Sequence, residues 1–414
     1  MAVHSATDDL YNAADDLIGR NLKAGRGDKA AFIDISGPTT YAQLDARVNQ
    51  FANVLAAHNV RIEERVLMCL LDTIDWPTCF LGAIRAGAVP IPVNTRLTAE
   101  DYKFMLDDSR ARVLVVSEVL LDAFLPHLSD HPFLDTIIVS GADGKGYALL
   151  KDELNGKSTN YQTAPTRASD MCFWLYTSGT TGRSKGAMLS HKNLLSNAQA
   201  LTDLWEITHQ DRLIHALPIF HTHGLFVATN IVLLSGGAMI FLPKLDIDRM
   251  IEWMPKATTM MGVPTFYTRL LDDERFTRDL AEHMRLFVSG SAPLLAETHE
   301  RFEKRTGHRI LERYGMTETN MNTSNPYEGE RRAGTVGFPL PGVELKVCDP
   351  ESGEEVPQDG IGGDGQHRGQ GRETCEEGAQ VLDGPEGPVE RPMRRRDPCP
   401  ARRHASYSPF TSCR

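Results

Sequence analysis

The segment Tyr176-Thr-Ser-Gly-Thr-Thr-Gly-Arg-Ser-Lys-Gly186 concentrates the residue types that hold phosphate. Glycines let backbone N–H groups approach an anion, hydroxyls add donors, and Lys185 adds positive charge. It is not a Walker A loop, because no G-x-x-x-x-G-K-[ST] aligns on Gly179, Gly182 and Lys185. A plain Gly/Ser/Thr surface loop has the same composition. The apolar run Met171–Leu175 before it and a helical pattern from about Lys192 favour a phosphate loop set between strand and helix. A second cluster is His221 and His223, with His215 nearby. Two His at i, i+2 face the same way in an extended chain, so a metal must be weighed. No carboxylate or Cys stands at ligand spacing, which favours the aromatic wall of a substrate pocket over zinc.

Elements of two periods must position these segments. Tyr41, Leu44, Val48, Phe51 and Leu55 follow the spacing of an amphipathic helix, and Thr40 with Gln43 forms a capping box at its start. Val66–Leu71, Ala88–Val93, Arg112–Ser117 and Thr136–Ser140 are short apolar runs flanked by turn residues, alternating with helical stretches such as Thr98–Leu106. A second set of strands is expected at Leu213–Leu217, Ala238–Leu242, Thr258–Val263 and Arg285–Val288. The alternation predicts an α/β fold built on covered, mostly parallel sheets.

The chain has 414 residues, 41% hydrophobic and 24% charged, which is globular composition with material for more than one domain. A net charge of −11 argues against a nucleic-acid surface. No run of 18 apolar residues offers a membrane span. Asp8, Asp9, Asp15 and Asp16 do not suit a transit peptide or secretory signal. Seven scattered cysteines without C-x-x-C indicate neither a zinc ribbon nor a disulfide framework, and those before residue 361 read as small buried hydrophobes. The expected setting is a reducing, cytoplasmic one.

Character changes near residue 360. From Ile361 to Arg414, 14 of 54 residues are Gly or Pro and only five are Ile, Leu, Val or Phe, the composition of a disordered tail. The expected organisation is therefore residues 1–360 as a folded unit and 361–414 as a tail.

The phosphate loop resembles the signature loop of the AMP-forming acyl-CoA synthetases. Arg313-Tyr-Gly-Met-Thr-Glu-Thr319 resembles their Y-G-x-T-E motif, Gly334-Thr-Val-Gly-Phe-Pro-Leu-Pro-Gly342 the segment that follows, and Ser289-Gly-Ser-Ala-Pro293 their adenine-side loop. The resemblance runs from about Thr40 to Asp349 in the right order. A narrower one, to malonyl-CoA synthetases, is carried by Ile214–Phe226, Gly262–Arg269 and Glu312–Asn325.

That resemblance implies the large N-terminal domain of the adenylate-forming fold. It further implies ATP, Mg²⁺ and coenzyme A as reactants or cofactors, with malonyl-CoA, AMP and pyrophosphate as products. It places ATP against Thr177, Ser178, Gly179, Thr180, Thr181, Gly182 and Lys185, then Gly290, Ser291 and Ala292, then Arg313, Tyr314, Gly315, Met316 and Thr317. Tyr314 would stack on adenine. Lys185, Thr317 and Glu318 would be catalytic, with Glu318 and Thr177 holding Mg²⁺. A Thr-Glu pair after glycine is also an ordinary helix start, Thr317 capping and Glu318 favouring the dipole. A dicarboxylic acid needs an anchor for its second carboxylate, since a buried carboxylate without partners is costly. By resemblance the anchor is Arg269 with Ser291, and His221 lines the pocket. Arg285 is the rival cation, although Arg at a strand entrance more often makes a structural ion pair.

The resemblance stops at Gly360–Gly362. Family members continue with a strand, a ribose-binding aspartate, a hinge and a small domain carrying a catalytic lysine, and the tail contains nine Arg and no Lys. His367–Gly371 and Gln380–Gly384 can be encoded by codons that read, one nucleotide shifted, as Ile-Glu-Val-Lys-Gly and Lys-Tyr-Trp-Met. The expectation is a frameshift near residue 361, with slowed adenylation in this chain. A genuine disordered arm around Arg394-Arg-Arg396 is the alternative. Other functional readings are a non-catalytic ATP- or carboxylate-binding module and a ligase for another short acid.

Overall fold

The structure is a computed structural model that describes residues 10–177, 184–348, 370–373 and 380–382. All eight expected strands are present, with ends shifted by a residue or two. Five parallel strands form one sheet in the order Val89–Pro92, Arg65–Cys69, Val113–Ser117, Thr136–Ser140, Ala148–Leu149. Side chains alternate across a strand. Val66, Met68, Val113, Val115 and Ile138 enter one core, while Leu67, Cys69, Leu114, Val116 and Val139 enter another. Both faces of this sheet are thus buried, which is why its strands read as unbroken apolar runs.

The larger sheet has nine strands. Its parallel centre runs Leu311–Met316, Leu286–Ser289, Thr259–Gly262, Arg212–His215, Ala238–Phe241, Ala30–Asp34. Antiparallel neighbours close both sides: Gly37–Thr40 at one edge, Asn320–Ser324 and Phe338–Pro339 at the other. Helix Tyr41–Ala57 begins with the expected capping box, Thr40 accepting from the Gln43 backbone and Gln43 accepting in return. Arg85, nearly buried, binds Asp45 and Asn49 of that helix at 2.7 Å each and ties it to helix Asp75–Arg85. Cys69, Cys79 and Cys172 are buried and unpaired, and burial pushes the Cys69 thiol up to about 12.

A third sheet holds the phosphate segment. Met171–Thr177 and Lys185–Ser190 pair antiparallel, and Gln380–Leu382 adds to the outer edge. Gln370–Glu373 pairs antiparallel with Leu345–Cys348. Two short strands therefore fall within the tail for which disorder was expected; the rest of that expectation lies outside the described residues. Among the described residues no helix is long and apolar enough to cross a membrane.

Candidate active site

In a parallel sheet the carboxyl ends of the strands share one edge, and ligands bind there. Four adjacent strands bring the acid-side motifs to that edge. His215 ends one, Gly262 the next, Ser289 the third, and Leu311–Met316 carries Arg313 and Tyr314 on the fourth.

The phosphate segment differs from expectation. A strand, Lys185–Ser190, comes between the loop and helix His191–Leu204, whose N-cap is Ser190. The strands on either side of the loop therefore pair as the two arms of a β-hairpin. Gly186-Ala-Met-Leu-Ser190 is too short a run for its period to stand out from the helix that follows. Thr177 and Lys185 are the last register pair before the tip, and Thr177 Oγ1 donates to the Lys185 carbonyl at 3.3 Å. Ser178, Gly179, Thr180, Thr181 and Gly182 lie outside the described residues.

The two histidines part company. The chain is not extended there: His223 opens a π-helical turn, His223–Thr229, of the kind frequent at functional sites. His221 keeps an exposed surface against Phe220, ring centroids 4.4 Å apart, although surrounding protein lowers its pKa by desolvation. His223 is 4% exposed and its Nδ1 lies 3.3 Å from Ser291 Oγ. Burial, then the charge of Arg313 and the neighbouring His215, hold His223 well below the usual imidazole range, so it is neutral. Burial likewise brings His215 to about 4, with its Nε2 3.3 Å from the Gly224 carbonyl. Gly224 is required: an added Cβ would lie 2.4 Å from the Pro218 carbonyl oxygen. Among the described residues no group of three or more His, Cys, Asp and Glu could hold a metal ion.

Ser291 sits at φ +67°, a left-handed conformation uncommon for a residue with a side chain and worth noting where it meets a site. Gly290 before it is buried against the Arg313 guanidinium, and a Cβ there would lie 2.4 Å from Arg313 Cζ. Arg313 is 3% exposed, and burial pulls its pKa down to about 9, partly opposed by Tyr267. Ala292, Tyr314 and Met316 are exposed, and Gly315 is half-buried.

Thr317 and Glu318 start no helix. They occupy the turn between antiparallel strands Leu311–Met316 and Asn320–Ser324, so the capping reading is corrected. Thr222 Oγ1 donates to Thr317 Oγ1 at 3.1 Å, joining the histidine loop to this hairpin. Half-buried Glu318 has no hydrogen-bond or ion-pair partner among the described residues. A carboxylate left open beside hydroxyls is a donor set that fits Mg²⁺.

The two candidate cations have different surroundings. Arg269, on helix Pro264–Asp272, is exposed. Arg285 stands at the amino end of strand Leu286–Ser289, opposite the ligand edge. Its donors go to Asp211 at 2.6 and 2.7 Å and to the carbonyls of Trp205 and Glu206. Burial opposes ionisation of Asp211, but Arg285 and the Thr208 and Thr258 bonds prevail and hold its carboxyl below the usual range. Arg285 is a structural ion pair, and the anchor role passes from it. Sequence reasoning missed Asp72, a buried carboxyl whose Oδ2 accepts from Ile219 N at 3.3 Å just before the histidines. A lone Asp between apolar runs gave no signal.

The profile of the AMP-binding enzyme family matches residues 20–369. The chain is 38% identical over 361 residues to the benzoate–CoA ligase of Thauera aromatica, covering 86% of this chain and 68% of that protein. It is 31% identical to the mitochondrial malonate–CoA ligase of Mus musculus, covering 83% of this chain and 61% of the other. Among solved structures, ATP-bound MatB from Rhodopseudomonas palustris matches with a TM-score of 0.78 at 45% identity, over 84% of this chain and 69% of that one. A benzoate CoA ligase from Burkholderia xenovorans LB400 gives 0.77 at 32% identity, over 84% and 69%. The chain thus spans roughly two thirds of its relatives' length. With the profile over most of its length and the site segments at the carboxyl edge of the fold, the chain belongs to the AMP-binding enzyme family.

Proposed function

We propose that the protein joins malonate to coenzyme A, cleaving ATP to AMP and pyrophosphate by way of malonyl-adenylate. The observation that carries this reading is the polar character of the acid side, where Ser291 Oγ meets His223 Nδ1 at 3.3 Å. An apolar tunnel would suit a fatty acid. Arg269 and Ser291 take the distal carboxylate, and His221 lines the pocket. The other carboxylate attacks the α-phosphorus in line, and Lys185 offsets charge on the departing pyrophosphate. Thr177, Thr317 and Glu318 would hold Mg²⁺, which when bound neutralises phosphate charge. Tyr314, half exposed, offers its ring to adenine, with Gly290, Ala292, Gly315 and Met316 beside it. The coenzyme A thiol then displaces AMP from the acyl-adenylate.

An aromatic acid is the second reading, favoured by the benzoate ligases that match at 38% and 35% identity. Hydroxylamine trapping with ATP and each acid separates the two. Malonyl hydroxamate is the expected product, and Arg269→Leu should abolish it. Benzoyl hydroxamate in its place overturns malonate. ATP binding by calorimetry with no hydroxamate from any acid overturns catalysis and leaves a binding module.

A further inference from the structure

A cation-lined groove lies between two helices, away from the ligand edge of the large sheet. Helices Pro264–Asp272 and Ala296–Thr306 each follow a parallel strand of that sheet, Thr259–Gly262 and Leu286–Ser289. A helix of this kind leaves the carboxyl edge and runs back toward the amino edge. The two pack together through Tyr267 and Phe302, ring centroids 5.4 Å apart at 87°. Leu271, Arg301, Lys304 and Arg305 line a groove of about 420 Å³, a volume in the range of small-molecule sites. Leu271, Lys304 and Arg305 belong to the last turns of their helices, and Arg301 to the turn before, so the groove is displaced from the acid and nucleotide segments.

Three of the four lining residues are cations, in a chain whose net charge is −11. Arg301, Lys304 and Arg305 stand at i, i+3 and i+4 on one helix face, where like charges repel. Neighbouring carboxylates are engaged elsewhere, Asp273 with Arg275 at 2.7 and 2.9 Å and Glu303 with Arg309 at 2.8 Å. Asp272 reaches Arg301 only at 3.8 Å, and both side chains are exposed. Arg305 Nη1 donates to the carbonyls of Asp273 and Phe276 at 3.4 and 3.3 Å, which orients the guanidinium without neutralising it. Lys304 has no hydrogen-bond or ion-pair partner among the described residues. Cations in a last turn favour the helix dipole, which accounts for Lys304 and Arg305 but not for Arg301 a turn earlier.

We propose that this groove is a second anion site, which takes a small molecule carrying linked phosphates. The proposal is independent of which acid the protein activates. Residues three and four apart on a helix hold their Cβ atoms about 5–6 Å from one another. A diphosphate spans such a row of cations, and a single phosphate does not. Guanidinium groups grip phosphate oxygens in pairs, and Lys304 adds a point charge. Leu271 offers an apolar wall to an organic group on the phosphates. Free pyrophosphate and the diphosphate of a nucleotide share this chemistry.

The test is isothermal titration of the full chain with pyrophosphate, inorganic phosphate and ADP, at low and at raised ionic strength. The proteins are wild type, Lys185→Ala, the double variant Arg301→Gln/Lys304→Gln, and Lys304→Arg. The double variant changes exposed side chains and leaves the Arg305 carbonyl bonds, so without ligand it should melt as the wild type does. Lys185→Ala should still bind pyrophosphate, because the groove lies apart from the phosphate hairpin. The double variant should lose roughly 10-fold in pyrophosphate affinity at this site, the combined worth of two exposed charge pairs. Lys304→Arg keeps the charge and should bind as the wild type does, and raised salt should weaken the groove-bound anion. The loss on double substitution also distinguishes the two sources. A larger loss for ADP than for pyrophosphate assigns the groove to a nucleotide, and an equal or smaller one assigns it to free pyrophosphate; either upholds the site. Equal pyrophosphate affinity in wild type and double variant overturns the proposal. So does loss of binding in Lys185→Ala, which would leave the phosphate hairpin as the binder. Inorganic phosphate that binds as tightly as pyrophosphate and loses as much in the double variant overturns the linked-phosphate class and leaves a non-selective anion contact.

Discussion

Asp72 should make the stability of this protein fall as pH rises through neutrality. Its carboxyl is 7% exposed and receives one hydrogen bond, from Ile219 N at 3.3 Å. Burial, only partly offset by that bond, lifts its pKa to about 8. In the unfolded chain the same group titrates near 3.9. Between about pH 4 and pH 8 the folded state therefore holds a proton that the unfolded state has released. Stability from this group is fully present below about pH 4 and declines by about 1.4 kcal/mol per pH unit until the folded pKa is reached. Asp72→Asn removes the titration and keeps a carbonyl oxygen for Ile219 N–H. The two proteins should be of similar stability near pH 4, the amide costing about 1 kcal/mol for any donor left without a partner. From pH 5 to pH 7 the wild type should lose roughly 3 kcal/mol relative to the variant. Urea denaturation of both proteins at half-unit pH intervals measures the difference directly, and subtracting the curves cancels every other titrating group. Parallel curves, or a wild type that gains on Asp72→Asn as pH rises, would refute the placement of a neutral carboxyl beneath the histidine loop.

Three further outcomes are expected. Gly224→Ala should cost about 1–3 kcal/mol in denaturant melts, because the new Cβ would lie 2.4 Å from a backbone oxygen and 2.9 Å from Ile219 Cα, which cannot easily give way. Arg285→Leu strips the nearly buried Asp211 of its cation and should cost about 3 kcal/mol in the same assay. Its malonate affinity should stay at the wild-type value, and a selective loss would return Arg285 to the acid site. Thr222→Val should lose about 1 kcal/mol, the worth of the hydroxyl bond to Thr317, with no change in the pH dependence.

The parallel strands were legible because both faces are buried, so each appears as a short apolar run between turns. Thr40 and Gln43 announced their helix through side-chain chemistry alone. The hairpins were less visible. Lys185–Ser190 holds Gly186 and merges with helix His191–Leu204, and Asn320–Ser324 is wholly buried yet made of Asn, Met, Thr and Ser. Polar strands of that kind satisfy their side chains locally, as Asn322 does with Thr319 at 3.0 Å and Thr323 with the Val336 carbonyl at 2.8 Å. They leave no hydrophobic period to read. At the site, residue types and order pointed to ATP and an acid, but burial did not show. Arg269, Arg285 and Arg313 look alike in a sequence, and only packing distinguishes an exposed guanidinium, an ion pair with Asp211 and a buried charge without a partner. The separation of His221 from His223 had the same origin, since a π-helical turn has no residue signature.

The parallel pairing of Ala30–Asp34 with Ala238–Phe241 has a consequence for how the molecule is made. Phe32 finds its partner in Met239, far along the chain. At synthesis rates of about 5–20 residues per second, roughly 10–40 s pass before that partner exists. The five-stranded sheet, whose strands lie between Arg65 and Leu149, can assemble in the meantime. Strand Ala30–Asp34, with Ala31 and Phe32 destined for full burial, must wait with only the short Gly37–Thr40 hairpin arm as company. Closure of such distant pairs is slow, and an apolar strand waiting for it is exposed to wrong partners. The newborn chain should accordingly depend on chaperone protection of its first 40 residues more than of the sheet that follows them.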